Sequence, residues 1–133
     1  MKIDHIGIAV KNIEEASKVY EAMLDKKLDH VIEMPDRNLK VMMIEMGESE
    51  IELLQPLEDN NKGVCNFLEK KGEGLHHIAF KVDNFDETIE NMKTNGFSLI
   101  GEPTIGAKGG RIIFLHPKSS NGTLIELCEK TKL

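Results

Sequence analysis

The feature that most limits how this chain can fold is that it repeats itself once. Asp4–Asp25 (DHIGIAVKNIEEASKVYEAMLD) lies over 76–97 (HHIAFKVDNFDETIENMKTNGF). His5 falls on His77, Ile6 on Ile78, Val10 on Val82, Asn12 on Asn84 and Glu15 on Glu87, all 72 positions apart. Further on, Val41–Ile44 (VMMI) matches Ile112–Leu115 (IIFL), and Leu53–Gln55 (LLQ) matches Leu124–Glu126 (LIE), 71 apart. A nearly constant offset over separate segments marks a duplicated structural unit. The chain reads as one domain over 1–133, made of module one at about 1–60, a connector at about 61–73 and module two at about 74–129.

Each module gives the same order of elements. Residues 3–10 alternate as a strand does, and Asn12 can cap a helix over 13–24 whose apolar positions are Ile13, Ala16, Val19 or Tyr20, and Met23 or Leu24. Strands are expected near 28–34, 39–45 and 50–55, with turns at Pro35-Asp36-Arg37-Asn38 and at 47–49. Module two gives a strand at 76–82, a helix at 85–95 ended by Gly96, and strands at 97–101, 111–115 and 123–128; a short helix near 64–70 lies in the connector. The expected fold class is α+β: two tandem βαβββ modules forming a curved sheet around a central metal site.

The metal site follows from strand alternation and the repeat. Successive side chains point to opposite faces, so Ile6, Ile8 and Val10 share one face, expected to pack on the helices, while His5, Gly7 and Ala9 share the other. His77 and Ala79 do the same in module two. Each last strand adds an oxygen ligand, Gln55 or Glu126. A single such residue is usually structural, but an apolar-flanked Glu126 is costly without a partner, and the repeat links all four. His5, Gln55, His77 and Glu126 form a mixed nitrogen and oxygen set suited to Co²⁺, Mn²⁺, Ni²⁺ or Zn²⁺ rather than Ca²⁺. His76 is the competitor of His77; His30 has no partner in the repeat, and His116, on the other parity, reads as a turn residue or a support of the ligands rather than a ligand.

Composition removes several functions. The formal net charge is −6, from 17 basic and 23 acidic residues, which argues against nucleic acid. No apolar run approaches the roughly 20 residues of a membrane span. Cys65 and Cys128 read as two free thiols in a reducing compartment, and the N-terminus lacks a signal-peptide pattern. The expected location is the cytoplasm.

The segments DHIGIAV, GEGLHHIAF, EPTIGAKGG, IFLHPKSSNG and LIEL resemble the methylmalonyl-CoA epimerase family of the vicinal oxygen chelate superfamily. The resemblance spans essentially the whole chain and maps the family's ligands onto the same four residues. It implies interconversion of (2R)- and (2S)-methylmalonyl-CoA through an enolate stabilised by a divalent metal, an acyl-CoA substrate and a homodimer. Two acid/base groups must flank the reacting carbon. Glu126 is one candidate. Lys40 stands where some epimerases carry a second catalytic Glu. Lys40 matches Arg111 in the repeat, which also suits both to anion contact. Lys108, Arg111 and Lys118, near Gly106, Gly109 and Gly110, are the expected contacts of the acyl-CoA phosphates.

The first alternative is a glyoxalase I-type lactoylglutathione lyase, which shares fold, metal and enolate chemistry. The second is a small-molecule binding or resistance module, which would not need four intact ligands. A ring-cleaving dioxygenase would leave Gln55 without a role.

Overall fold

The structure is a computed structural model that describes residues 1–130. The chain divides into two compact units: Ile6–His76, and Met1–His5 joined to the chain from His77 onward. The connector therefore belongs with module one, because Val64, Phe67 and Leu68 of its helix pack on Ala9, Val41 and Leu54. The first five residues belong with module two, where Asp4 and His5 find their partners.

In chain order the first module contains β1 (Lys2–Ala9), α1 (Ile13–Leu24), β2 (Ile32–Met34), β3 (Leu39–Met46) and β4 (Ser49–Pro56), followed by α2 (Gly63–Lys71). The strands lie in the order β2-β3-β4-β1, with β2, β3 and β4 antiparallel. Helix α1 starts where the sequence predicts, since the Asn12 side chain accepts the Glu15 N–H at 2.8 Å. It turns Ile13, Ala16, Tyr20 and Leu24 onto Ile8, Val10, Met42, Ile44 and Leu53. Val19 and Met23, the alternatives left by the sequence, are exposed. Strand β2 is shorter than expected from 28–34. Leu28 and Val31 pack into the α1 cluster instead, and the Leu28 N–H is taken by the Glu21 carboxylate at 2.7 Å.

Strands β3 and β4 have two different faces. Met42, Ile44 and Leu53 face α1, whereas Leu39, Val41, Met43 and Leu54 join Ala9 against α2. This alternation assigns every other residue of the two strands to a face.

The second module repeats the pattern with β5 (Gly74–Val82), α3 (Phe85–Thr94), β6 (Leu99–Ile105), β7 (Arg111–Leu115) and β8 (Ile125–Glu129). Its strand order is β6-β7-β8-β5, the counterpart of β2-β3-β4-β1. Strand β5 is parallel to β8, and the other pairs are antiparallel. Asn84 caps α3 by accepting the Glu87 N–H. Strand β6 extends beyond the expected 97–101 because a bulge between Ile100 and Thr104 lets pairing resume, with Gly101 there at φ +67°. Val82, Ile113, Leu115 and Leu127 face Phe85 and Ile89 of α3, while Ala79, Ile112, Phe114 and Cys128 cluster on the other face. No helix among the described residues is long and apolar enough to cross a membrane.

Candidate metal centre

The unit formed by Met1–His5 and the chain from His77 onward brings three expected ligands together. His5 Nε2 and His77 Nε2 lie 3.0 Å apart. A Glu126 carboxylate oxygen lies 3.5 Å from His5 Nε2, and its other oxygen 3.6 Å from His77 Nε2. All three residues are buried, at 4% exposure each. Two imidazole nitrogens cannot face each other at this distance as two bare lone pairs; a proton or a cation must lie between them. Spacings of this size are also what nitrogen and oxygen ligands about 2.1 Å from a common metal present to one another. The donor set therefore fits a divalent cation.

Strand direction explains the convergence. His77 shares a β5 face with Ala79, and Glu126 shares a β8 face with Cys128, the face opposite α3. The His77 ring meets Phe114 edge-on. His76 points the other way and packs edge-on against Phe67; burial first, and then the charge of Lys71, hold its pKa below the usual imidazole value.

Asp4, which the sequence reading did not single out, is part of the centre. Its carboxylate takes the His5 Nδ1–H at 2.7 Å, leaving Nε2 with its lone pair toward His77 and Glu126. Burial alone would raise the Asp4 pKa. The His5 hydrogen bond and the Lys108 charge outweigh it and bring the value down to about 2. Lys81 Nζ adds a longer contact of 3.8 Å. The Asp-His dipeptide at 4–5 was the available signal.

Other expected residues sit differently. Gln55 shares the α1 face of β4 with Leu53, and its side-chain oxygen accepts the Ile13 N–H at 2.8 Å. Glu52, buried at 7% exposure, shares the opposite face with Leu54. Lys40 shares the α1 face of β3 with Met42 and is ion-paired with Glu14 at the start of α1. Its repeat counterpart Arg111 is ion-paired with Asp86, the counterpart of Glu14 at the start of α3. Arg111 also binds Glu129 at 2.7 Å and lies over the Phe85 ring. The Arg111 pKa is raised, first by its hydrogen bonds to Glu129 and then by those to Asp86. Lys108 is 3.2 Å from Asp4. Lys118 is exposed on the turn Pro117–Ser119, where its N–H is accepted by His116 Nδ1. His30 is exposed in a loop.

Comparison with known proteins agrees with this architecture. Residues 4–114 match the family model of the Glyoxalase/Bleomycin resistance protein/Dioxygenase superfamily. Ethylmalonyl-CoA/methylmalonyl-CoA epimerase of Cereibacter sphaeroides is 36% identical over 95% of this chain and 96% of its own. Mitochondrial methylmalonyl-CoA epimerase of Mus musculus is 35% identical over 95% of this chain and 71% of its own. The crystal structure of methylmalonyl-CoA epimerase from Mycobacterium tuberculosis superposes with a TM-score of 0.89 at 30% identity, covering 98% of this chain and 89% of that one. The chain belongs to the Glyoxalase/Bleomycin resistance protein/Dioxygenase superfamily and, within it, to the family of the methylmalonyl-CoA epimerases.

Proposed function

We propose that this chain interconverts (2R)- and (2S)-methylmalonyl-CoA. The observation that carries the reading is the convergence of His5, His77 and Glu126 within 3.0 to 3.6 Å, in a member of the epimerase family. The hydrogen on C2 of this substrate lies between a thioester and a carboxylate, and its removal places negative charge on the thioester oxygen. A divalent cation supplies neutralisation of that charge when bound.

We assign His5, His77 and Glu126 as ligands, with Co²⁺ the first metal to test and Mn²⁺, Ni²⁺ and Zn²⁺ next. Gln55, the fourth ligand expected from the repeat, faces α1 and caps it through its side-chain oxygen, so we leave it out of the ligand set. Asp4 holds the His5 ring in place. Glu126 is also one acid/base group, exchanging a proton with C2 through a carboxylate oxygen. Lys40 was the sequence candidate for the second group. Its ion pair on the α1 face supports a structural tie instead. Lys108 and Lys118 are the proposed contacts of the acyl-CoA phosphates, while Arg111 is engaged by two carboxylates. The same proposal includes a cytoplasmic location, in keeping with Cys65 and Cys128 as thiols rather than a disulfide, and a homodimer, which light scattering tests.

The test is deuterium exchange at C2 of methylmalonyl-CoA by the Co²⁺-loaded protein, run beside a methylglyoxal–thiol assay. Exchange from both epimers is the expected result. Turnover of the hemithioacetal without exchange would assign the site to the lyase reaction.

A further inference from the structure

Glu126 has a neighbour that neither the repeat nor the ligand set required. Cys128 Sγ lies 2.8 Å from Glu126 Oε2. The two residues are two apart on β8 and so point to the same face. The cross-strand register places Glu126 beside Ala79 and Phe114, and Cys128 beside Lys81 and Ile112. Ala79, Ile112 and Phe114 pack around the thiol. Ala79, Ile112 and Phe114 are apolar, so the thiol is the donor that this cluster itself brings to the carboxylate.

We infer that Cys128 is a positioning residue for Glu126: its S–H donates to Oε2 and fixes the rotation of the carboxylate. This deepens the reading of Glu126 as ligand and acid/base group, and it rests on that reading. A carboxylate free to rotate can offer its two oxygens interchangeably. One held by a thiol on Oε2 keeps a defined direction toward the cation and toward C2. Serine keeps a donor at the same position, whereas alanine removes it.

The test compares Cys128→Ser and Cys128→Ala with the wild type, each first checked for a cooperative thermal melt. Three quantities are read: Co²⁺ affinity by chelator competition, the visible spectrum of the Co²⁺ protein, and kcat and KM for C2 exchange. We expect Cys128→Ala to lower kcat about tenfold with KM nearly unchanged, the scale of one lost hydrogen bond to a charged group. Cys128→Ser should restore most of that loss. The d–d bands of Co²⁺ should shift in the alanine variant and return in the serine variant. Cys128 Sγ also lies within 4.8 Å of donor atoms of Asp4 and His5. A thiolate-to-cobalt charge-transfer band in the wild type, lost in both variants, would make Cys128 a ligand and overturn the inference. Equal kcat and equal spectra in alanine and wild type would also overturn it. If the wild type binds Co²⁺ but exchanges no C2 hydrogen, the proposed substrate fails while the spectra still decide the role of Cys128.

Discussion

Glu52 and Glu126 occupy equivalent places in the two modules. Glu52 pairs across its ladder with Met43, Glu126 pairs with Phe114, and Met43 and Phe114 are matched in the sequence repeat. The surrounding Ile51-Glu52-Leu53 and Ile125-Glu126-Leu127 are the same tripeptide, 74 positions apart. Leu53 and Leu127 both face the helix of their own module. In each module, then, the final strand carries one buried carboxylate on the face turned away from that helix.

His5→Ala and His77→Ala are each expected to weaken Co²⁺ binding by at least tenfold in chelator competition, since ligands and their close supports typically carry effects of that size. Gln55→Ala should leave Co²⁺ affinity within about twofold, and should instead cost about 1 kcal/mol of folding stability by freeing the Ile13 N–H at the start of α1. Loss of the metal in a folded Gln55→Ala protein would return the site to the four residues first drawn from the repeat.

Much of this was legible in the sequence, and the pairing of Gln55 with Glu126 has a physical cause. The offset of 72 found His5 and His77, and the helix caps Asn12 and Asn84 were readable from their position before an apolar-periodic run. The last strand was matched at 71, which set Gln55 against Glu126. Between β7 and β8, however, the chain makes an extra 3-10 turn at Pro117–Ser119, while β3 and β4 are joined by a tight turn at Gly47 and Glu48. The added residues shift the match to 74. A shift by an odd number of residues moves every side chain of a strand to its other face. The roles of Asp4 and Cys128 depend on neighbours from distant strands, which periodicity does not reveal.

The paired ties Lys40–Glu14 and Arg111–Asp86 join the third strand of each module to the first turn of its helix. Lys40→Met should therefore leave C2 exchange from either epimer within about twofold, while lowering the melting temperature in low salt and less so in high salt, as exposed ion pairs do. Arg111→Met should show the same salt dependence in the second module, together with loss of the Glu129 contact. Loss of exchange from one epimer alone in Lys40→Met would restore Lys40 as the second acid/base group.

Acid should loosen the metal-free protein through Asp4. Its pKa in the folded protein is about 2, below the ordinary 3.8. Between those values the unfolded chain binds more protons at this group than the folded one, so stability rises with pH there. The contribution is fully present above the unfolded value and disappears as pH falls toward 2. Melting temperatures of wild type and Asp4→Asn should accordingly differ near neutral pH and converge at the acid end. Curves that run parallel down to the lowest pH would mean that Asp4 contributes nothing through its charge.

The final prediction separates binding from chemistry at Glu126. The carboxylate lies 3.5 Å from the His5 imidazole and 3.6 Å from that of His77, so it sits beside any atom the centre would hold. Glutamine at this position keeps an oxygen that can ligate, but its amide cannot take up and return the C2 proton. Glu126→Gln should hold Co²⁺ with modestly reduced affinity while C2 exchange falls by about a hundredfold or more, the lower range for a removed general acid/base. Glu126→Ala should lose both properties, because neither a ligand oxygen nor a base remains. Metal content by elemental analysis and hydrogen exchange by NMR, measured on the same preparation, read the two effects independently. If Glu126→Gln kept its Co²⁺ and exchanged the C2 hydrogen of both epimers at the wild-type rate, Glu126 would be a ligand alone.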